Sequence, residues 1–163
     1  MDEKDTMRRL RRIEDRFELQ DLLFRYNLAV DEQDWDGLAD LYAEDAQLGE
    51  VSGRANVIAA IRRERETFGR TVHVTHGQLL DLDGGERATG LVVAHAELDV
   101  GGQLVVCHIR YYDDYVQENQ AWRFARRTLK FRYALPWTEM ADSLTAERPV
   151  RWPGTEPSPP EPF

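Results

Sequence analysis

The spacing of apolar residues changes once along this chain, close to Gly69. Before Gly69 apolar residues recur at helical spacing, and after it they alternate with polar residues at a period of two. Short connections, two of which contain Gly-Gly, separate the alternating stretches, and Gly-Gly supplies the positive φ that a tight hairpin needs. The second half therefore predicts a meander of antiparallel strands, at roughly 70–82, 88–100, 104–117 and 122–133.

These strands are long compared with the usual five or six residues, so the sheet must twist and curl strongly. Helices packed on its concave side would close a cone around an interior cavity, which is the default place for a ligand. The predicted fold class is therefore α+β: a cone-shaped α+β barrel with N-terminal helices packed on a curved antiparallel sheet.

Three helices are predicted before the sheet. The first covers residues 6–31, and a short second helix follows Asp34, which can cap it. A third follows Gly53, and a short strand near 47–51 is expected to pair with the sheet. The first helix carries an apolar stripe formed by Leu19, Leu22, Leu23, Tyr26 and Val30, and Ile13 and Phe17 begin a similar stripe one turn earlier. The second helix should present Leu38, Leu41 and Tyr42 to the core, and the third Val57, Ile58 and Ile61.

Composition narrows the function classes. No apolar run approaches the roughly 18–20 residues that span a bilayer, and the N-terminus lacks the apolar segment of a secretory signal, so we expect a cytoplasmic protein without membrane contacts. The net charge of −9 disfavours nucleic-acid partners. Cys107 is the single cysteine, which excludes an intrachain disulfide and fits a small core residue better than a nucleophile.

The end of the chain has a different composition. All seven prolines fall at or after Pro136, so we divide the chain into a domain at 1–135 and a proline-rich C-terminal arm at 136–163. The arm is either disordered, or it packs on a neighbouring subunit or across the cavity mouth. Trp137 and Trp152 favour docking, because a solvated tail gains nothing from tryptophan.

Several sequence segments, together with this order of elements, resemble the SnoaL-like branch of the nuclear transport factor 2-like superfamily. The segments are Leu28 to Leu38 leading into Leu41 to Ala46, then Thr71-Val72-His73, Arg110 to Tyr115 and Trp122 to Arg127. This branch includes scytalone dehydratase, bile-acid 7α-dehydratase and lindane dehydrochlorinase. The superfamily also includes polyketide cyclases, ketosteroid isomerases and the noncatalytic β-subunits of ring-hydroxylating dioxygenases, so fold alone does not decide the chemistry.

The resemblance implies a catalytic pair formed by Asp31, after the first helix, and His73, on the first long strand. Histidine exchanges a proton near neutral pH, and a buried carboxylate fixes its tautomer and stabilises the imidazolium. Taken singly, Asp31 is more simply explained as a residue at a helix C-terminus or an N-cap of the next helix, and His73 as a core histidine; it is the family match at both positions that favours the pair. His76 lies at opposite strand parity to His73, so His73-x-x-His76 does not predict a metal site, and we expect neither metal nor cofactor.

Strand parity, set in the register of the family, points further side chains into the cavity. The inward positions are Ala94, Ala96 and Leu98, then Cys107, Ile109, Tyr111 and Asp113, then Ala125, Arg127, Leu129 and Phe131. We expect Tyr26, Tyr111, Asp113 and Arg127 to contact substrate. Tyr26 lies five residues before Asp31, where the bile-acid dehydratase also has a tyrosine. Arg127 would either stabilise an enolate or pair with Asp113.

The chain also departs from scytalone dehydratase. That enzyme has tyrosines where this chain has Val30 and, approximately, Glu50, and its second inward histidine falls in an apolar region here. A dehydration with a tyrosine-bound water is therefore not expected. Glu50 could serve as a general acid, but an exposed carboxylate in a loop is the simpler explanation of this residue.

The predicted function is a cofactor-independent lyase or isomerase, dehydratase-like or cyclase-like, acting through Asp31 and His73 on a small hydrophobic, cyclic carbonyl compound. The alternative is a noncatalytic ligand-binding or assembly subunit, like the dioxygenase β-subunits. Outward-facing polar and aromatic groups on adjacent strands predict a homo-oligomer, either dimer or trimer, through the outer sheet face: His95, Glu97, His108, Arg110 and Tyr112.

Overall fold

A computed structural model describes residues 2–162. The chain begins with three helices and two short strands and continues with four long strands. In chain order the elements are α1 (Glu3–Glu32), α2 (Trp35–Asp40), β1 (Tyr42–Leu48), β2 (Val51–Ser52), α3 (Arg54–Arg65), β3 (Thr71–Leu82), β4 (Arg87–Val100), β5 (Gln103–Glu118), β6 (Ala121–Pro136) and a 3₁₀ helix (Trp137–Asp142).

The predicted α+β fold is confirmed. Strands β3 to β6 form consecutive antiparallel hairpins, and the sheet order is β2-β1-β6-β5-β4-β3. The sheet is mixed rather than purely antiparallel, because β1 runs parallel to β6, with Gln47 opposite Arg126. It is also open, since β2 and β3 lie at its two edges.

The early strand is longer than the predicted segment at 47–51, and it begins at Tyr42. Helical spacing places Tyr42 in the second helix, but that helix ends at Asp40. The Tyr42 side chain is fully buried in the strand, with its ring 5.2 Å from the ring of Phe124 and 6.5 Å from that of Tyr26. These aromatic contacts with α1 and β6 stabilise Tyr42 in β1, although its spacing from Leu38 is that of a helix.

Helix α1 packs its predicted stripe, Leu19 to Val30, into the core against β3. Asp2 caps its N-terminus by accepting the Asp5 N–H, and Gln33 ends it in the left-handed conformation, with φ of 59°. Ile13 and Phe17 do not extend the core stripe. Both are exposed, at 51% and 64%, and lie on the other side of the helix.

A β-bulge changes the inward side of β6. Asp114 is opposite Arg126 and Tyr115 is opposite Phe124, so Ala125 is the extra residue. Phe124 is fully buried and takes the inward place that parity assigned to Ala125, whereas Arg127 keeps its predicted place. The bulge therefore brings an aromatic ring and a guanidinium group to the same side of the sheet.

The proline-rich arm folds back over the sheet. Val150 is buried and bridges both Ala134 and Ser158. The Trp152 ring lies 6.4 Å from the Phe68 ring and 5.3 Å from the Phe131 ring. The arm thereby supplies a side chain to the cavity wall. Among residues 2–162, no helix is both long and apolar enough to cross a membrane.

Candidate active site

Asp31 and His73 are in direct contact. Asp31 lies in the last turn of α1 and His73 near the start of β3, and Asp31 Oδ1 is 2.6 Å from His73 Nδ1. The backbone N–H of His73 donates to Asp31 Oδ2 at 2.9 Å, and the Thr71 hydroxyl donates to Oδ1 at 2.7 Å. Three donors from one strand therefore fix the carboxylate.

These contacts keep the carboxyl group of Asp31 ionised. Burial alone would raise its pKa, but hydrogen bonds from His73 and Thr71 outweigh burial and hold the pKa below its usual value. A carboxylate at the end of a helix also faces the negative end of the helix dipole. Asp31 is thus held by tertiary contacts where helical preference would not place it.

The ionised carboxylate sets the tautomer of His73. Because Asp31 can only accept, Nδ1 of the imidazole carries the proton that is donated to Oδ1. In the neutral imidazole the other ring nitrogen, Nε2, is then a lone-pair acceptor, and His73 is among the residues that line a mainly apolar cavity. An imidazole in this tautomer can accept a proton at Nε2, which is the chemistry required of a general base.

Two further side chains position the pair. Arg65 is buried at the end of α3, where Nη1 donates to the carbonyls of Phe68 and Gly69, at 3.1 and 2.6 Å, just before β3 begins. Its Nε also reaches the carbonyl of Val30, at 3.4 Å. The Asn27 amide donates to the Thr75 hydroxyl at 3.0 Å, which joins α1 to β3 two residues beyond His73.

The cavity beside His73 has a volume of about 340 Å³. Its wall is mainly apolar, and Tyr26 and Tyr111 are the predicted substrate contacts that line it. Cys107 also lies in the wall, where burial raises the pKa of its thiol to about 12, as expected for a core cysteine rather than a nucleophile. Other wall residues are Val30, Ile61, Phe68, Leu98, Ile109, Leu129, Phe131 and Trp152.

Asp113 and Arg127 lie behind this wall rather than in it. Arg127 donates through Nε and Nη2 to the two carboxylate oxygens of Asp113, at 2.8 and 2.7 Å, and both side chains are almost wholly buried. Of the two roles considered for Arg127, the structure shows the ion pair. The guanidinium carbon lies 4.3 Å from the ring centroids of both Tyr26 and Tyr111.

Arg127 affects the phenol of Tyr26. Burial raises the pKa of Tyr26, and the neighbouring positive charge of Arg127 offsets part of that rise. Among the described residues, Nη1 of Arg127 has no hydrogen-bond partner although it is buried. Arg127 is thus absent from the cavity wall and contacts the rings of two residues that line it, Tyr26 and Tyr111.

Sequence reasoning did not assign Thr71, Arg65, Asn27 or Glu64 to the site. For Trp152 it predicted only that the arm docks, either on a neighbouring subunit or across the cavity mouth. Thr71 precedes His73 by two, so strand parity alone would have placed it on the same side as His73. Glu64 contributes to the cavity wall from the last turn of α3, and partial burial raises the pKa of its carboxyl group. Glu50, weighed as a general acid, is exposed in the turn between β1 and β2.

The outer sheet face holds a separate histidine cluster. His76 Nε2 lies 2.5 Å from His95 Nδ1, and His95 Nε2 lies 2.9 Å from the Tyr133 hydroxyl. His76 is the extra residue of a bulge in β3, between Thr75 and Gly77. It contacts the outward-facing His95 and not the Asp31–His73 pair, in agreement with strand parity.

The lowered pKa of Asp31 predicts a pH dependence of stability. The unfolded carboxyl group binds a proton at higher pH than the folded one, so the contribution of Asp31 is fully present above the unfolded pKa and is lost as the pH falls through the folded value. We expect the difference in unfolding free energy between wild type and Asp31→Asn to shrink on acidification from neutral pH to below pH ~4. Urea denaturation across this range would measure it, and a constant difference would contradict the prediction.

Residues 11–128 match the sequence model of a family described as the SnoaL-like domain. An uncharacterized protein of Mycobacterium tuberculosis, Rv2910c, is 28% identical over 123 residues, which cover 71% of this chain and 84% of that protein.

Solved structures show the same fold. The crystal structure of LinA superposes with a TM-score of 0.74 at 20% identity and covers 79% of this chain and 93% of that one. A protein from Novosphingobium aromaticivorans, provisionally assigned as a scytalone dehydratase, superposes with a TM-score of 0.70 at 18% identity and covers 93% and 99% of the two chains. An NTF2-like protein from the same organism is 26% identical, with a TM-score of 0.63 and coverage of 78% and 88%.

Proposed function

Because the chain belongs to the SnoaL-like domain family, we propose that it is a cofactor-independent lyase or isomerase that abstracts a proton next to a carbonyl group. The observation that carries this proposal is the 2.6 Å contact between Asp31 and His73 at the wall of an apolar cavity of about 340 Å³. A cavity of this size and character suits a small hydrophobic, cyclic carbonyl compound.

In the proposed reaction, Nε2 of His73 takes the proton from the carbon next to the carbonyl. The imidazolium that forms is stabilised by the Asp31 carboxylate, whose three hydrogen bonds hold it in place without further reorganisation. The electron pair of the broken C–H bond is then used in one of two ways. Either it forms a double bond and expels a leaving group from the neighbouring carbon, or a different carbon of the delocalised anion takes back a proton from the His73 imidazolium. The first course is an elimination and the second an isomerisation.

Tyr26 is the proposed donor to the oxygen on which negative charge develops. Its phenol lines the cavity, and the guanidinium of Arg127 behind its ring favours charge development at the hydroxyl. Tyr111 lies beside it, with ring centroids 6.4 Å apart, and completes the aromatic wall against which a flat ring would pack.

The proposal is tested by exchange of carbon-bound hydrogen with solvent. Cyclic ketones, with and without a β-hydroxyl or β-halide group, are incubated with the protein in D₂O and followed by proton NMR. For ketones without a leaving group we expect enzyme-dependent deuterium uptake next to the carbonyl, because the carbanion is quenched by solvent deuterons. For ketones with a leaving group we expect an unsaturated product, in which the abstracted proton and the leaving group have both been lost. This assay detects proton abstraction whichever course follows it.

The alternative, a noncatalytic binding or assembly subunit, predicts a different result in the same samples. Ligands would then perturb the protein spectrum without any deuterium uptake beyond the buffer rate. The fully formed Asp31–His73 pair favours the enzyme, because binding an apolar ligand does not require an oriented general base.

A further inference from the structure

Helix α1 carries a second apolar stripe that faces solvent. Its members are spaced by three, four, seven and four residues and lie on the side of the helix opposite the core stripe. Phe17 and Phe24 are the largest of them, each 64% exposed. The complete stripe is Leu10, Ile13, Phe17, Phe24 and Leu28.

The stripe is continuous and long. From Leu10 to Leu28 it extends about 27 Å along the helix. Phe24 also borders a shallow groove with Val74 of the edge strand β3, itself 46% exposed, so apolar surface continues beyond the helix. A monomer seldom leaves large aromatic side chains aligned in water over such a length, which marks the stripe as an interaction surface.

The spacing of the stripe is that of a coiled-coil seam. Leu10, Phe17 and Phe24 are seven residues apart and take the a positions, and Ile13 takes a d position, with Gln20 at the next d. The core-facing residues of α1 fall at c and f positions, such as Leu19 and Tyr26, at the g positions of Leu23 and Val30, and at the d position of Asn27. The seam is therefore open to a partner helix from Leu10 to Phe24, and it ends where Asn27 turns towards β3.

The charges that flank the seam differ in sign between its two sides. Arg9 and Arg16 take the g positions, and Glu14 and Asp21 take the e positions. In a parallel pair, a g residue of one helix faces the e residue five positions later in its partner, which sets Arg9 against Glu14 and Arg16 against Asp21. In an antiparallel pair g faces g and e faces e, which would bring like charges together.

From this arrangement we propose that the α1 seam binds a second copy of this chain in a parallel helix pair. The two protomers are related by a twofold axis along the seam, with each body on the far side of its own helix. The charged residues beside the seam favour self-recognition. Each chain carries positive residues at g and negative residues at e, so two copies form all four g-to-e ion pairs at once. The surface differs from the outer sheet face on which we expected subunits to meet.

The first test measures the mass of the intact protein in solution by size-exclusion chromatography with light scattering. We expect twice the chain mass of 18.9 kDa for the wild type. Phe17→Glu should weaken the dimer at least about 100-fold, because it buries two carboxylates in the seam. The fold should persist, since Phe17 is exposed in the single chain. Leu79→Glu is the matched control, because Leu79 is 71% exposed but lies on β3 outside the seam, and this variant should remain dimeric.

The second test examines the orientation. Arg9→Glu places a carboxylate opposite Glu14 of the partner and should raise the dimer dissociation constant about 3- to 10-fold. Adding Glu14→Arg to the same chain restores opposite charges only in the parallel pair, and should return the constant to near the wild-type value. Failure of the second change to restore binding would overturn the parallel arrangement.

Other outcomes would overturn the interface itself. A monomeric wild type at tens of micromolar would exclude a second copy as the occupant of the seam. An oligomer that survives Phe17→Glu but dissociates with Glu97→Arg would place the contact on the outer sheet face instead. Each result can be read from the elution mass, with far-ultraviolet circular dichroism to verify that the variants are folded.

Discussion

Replacing His73 with alanine is expected to slow deuterium uptake by the ketone by about 10²–10⁴-fold, the usual contribution of a positioned general base. Asp31→Asn should lose activity over the same range, because the amide cannot stabilise an imidazolium and can hold the ring in the wrong tautomer. Both side chains are only partly exposed, at 13% for His73 and 19% for Asp31, and neither belongs to the apolar core. The folded state should therefore survive either change.

Matched variants separate this effect from a general loss of structure. His76→Ala removes a histidine three residues away that contacts the outer cluster, and Asp36→Asn removes an exposed carboxylate in the first turn of α2. Both should exchange deuterium at the wild-type rate. Because Asp31 acts through His73 in the proposed mechanism, the double variant should be no slower than His73→Ala alone. Undiminished exchange in both Asp31→Asn and His73→Ala would refute the pair as the catalytic machinery.

Breaking the buried ion pair between Arg127 and Asp113 is expected to lower the unfolding free energy more than any other single substitution proposed for this chain. Arg127→Met leaves the Asp113 carboxylate in the interior with the Tyr115 hydroxyl as its remaining hydrogen-bond donor, 2.9 Å away. Removing one partner of a buried pair costs about 3–5 kcal/mol, since the remaining charge has lost its compensation. Urea denaturation monitored by tryptophan fluorescence would measure this loss.

A second substitution shows how much of the loss comes from the orphaned charge. Asp113→Leu combined with Arg127→Met removes both charges. The double variant should recover a large part of the unfolding free energy lost in Arg127→Met, because a buried ion pair can often be replaced by apolar residues of similar volume. As a control, Arg126→Met removes the exposed neighbour that pairs with Asp114, and it should change the unfolding free energy by less than about 1 kcal/mol. Equal losses in Arg126→Met and Arg127→Met would contradict the assigned burial.

Most of the fold could be read from apolar periodicity. The strand limits in β3 to β6 and the extent of α1 agree closely with the spacing of their apolar residues, because burial on one face imposes that spacing directly. Tyr42 and Ala125 show where periodicity fails. Tyr42 is held in β1 by aromatic rings from α1 and β6, and Ala125 is displaced by a bulge that depends on pairing with β5.

The candidate site divides in the same way. Asp31 and His73 were found through family motifs, and Tyr26 and Tyr111 through periodicity and register, and all four occupy the expected region. Asp113 and Arg127 also face inward as parity requires, but parity cannot tell the surface of a cavity from the layer behind it. Glu64 and Trp152 come from a helix end and a proline-rich arm, where no repeating pattern indicates which side chains will meet a cavity.

The sequence alone determined the change from helices to long hairpins, and with it the cone that brings the end of α1 to the start of β3. These features follow from local spacing and turn residues, which act over a few positions of the chain. Only the tertiary structure decided that the Thr71 hydroxyl donates to Asp31, that Arg127 forms its ion pair with Asp113, and that a second apolar face of α1 stays exposed. Those outcomes depend on contacts between residues far apart in sequence, whose distances and burial are set by the packing of the whole chain.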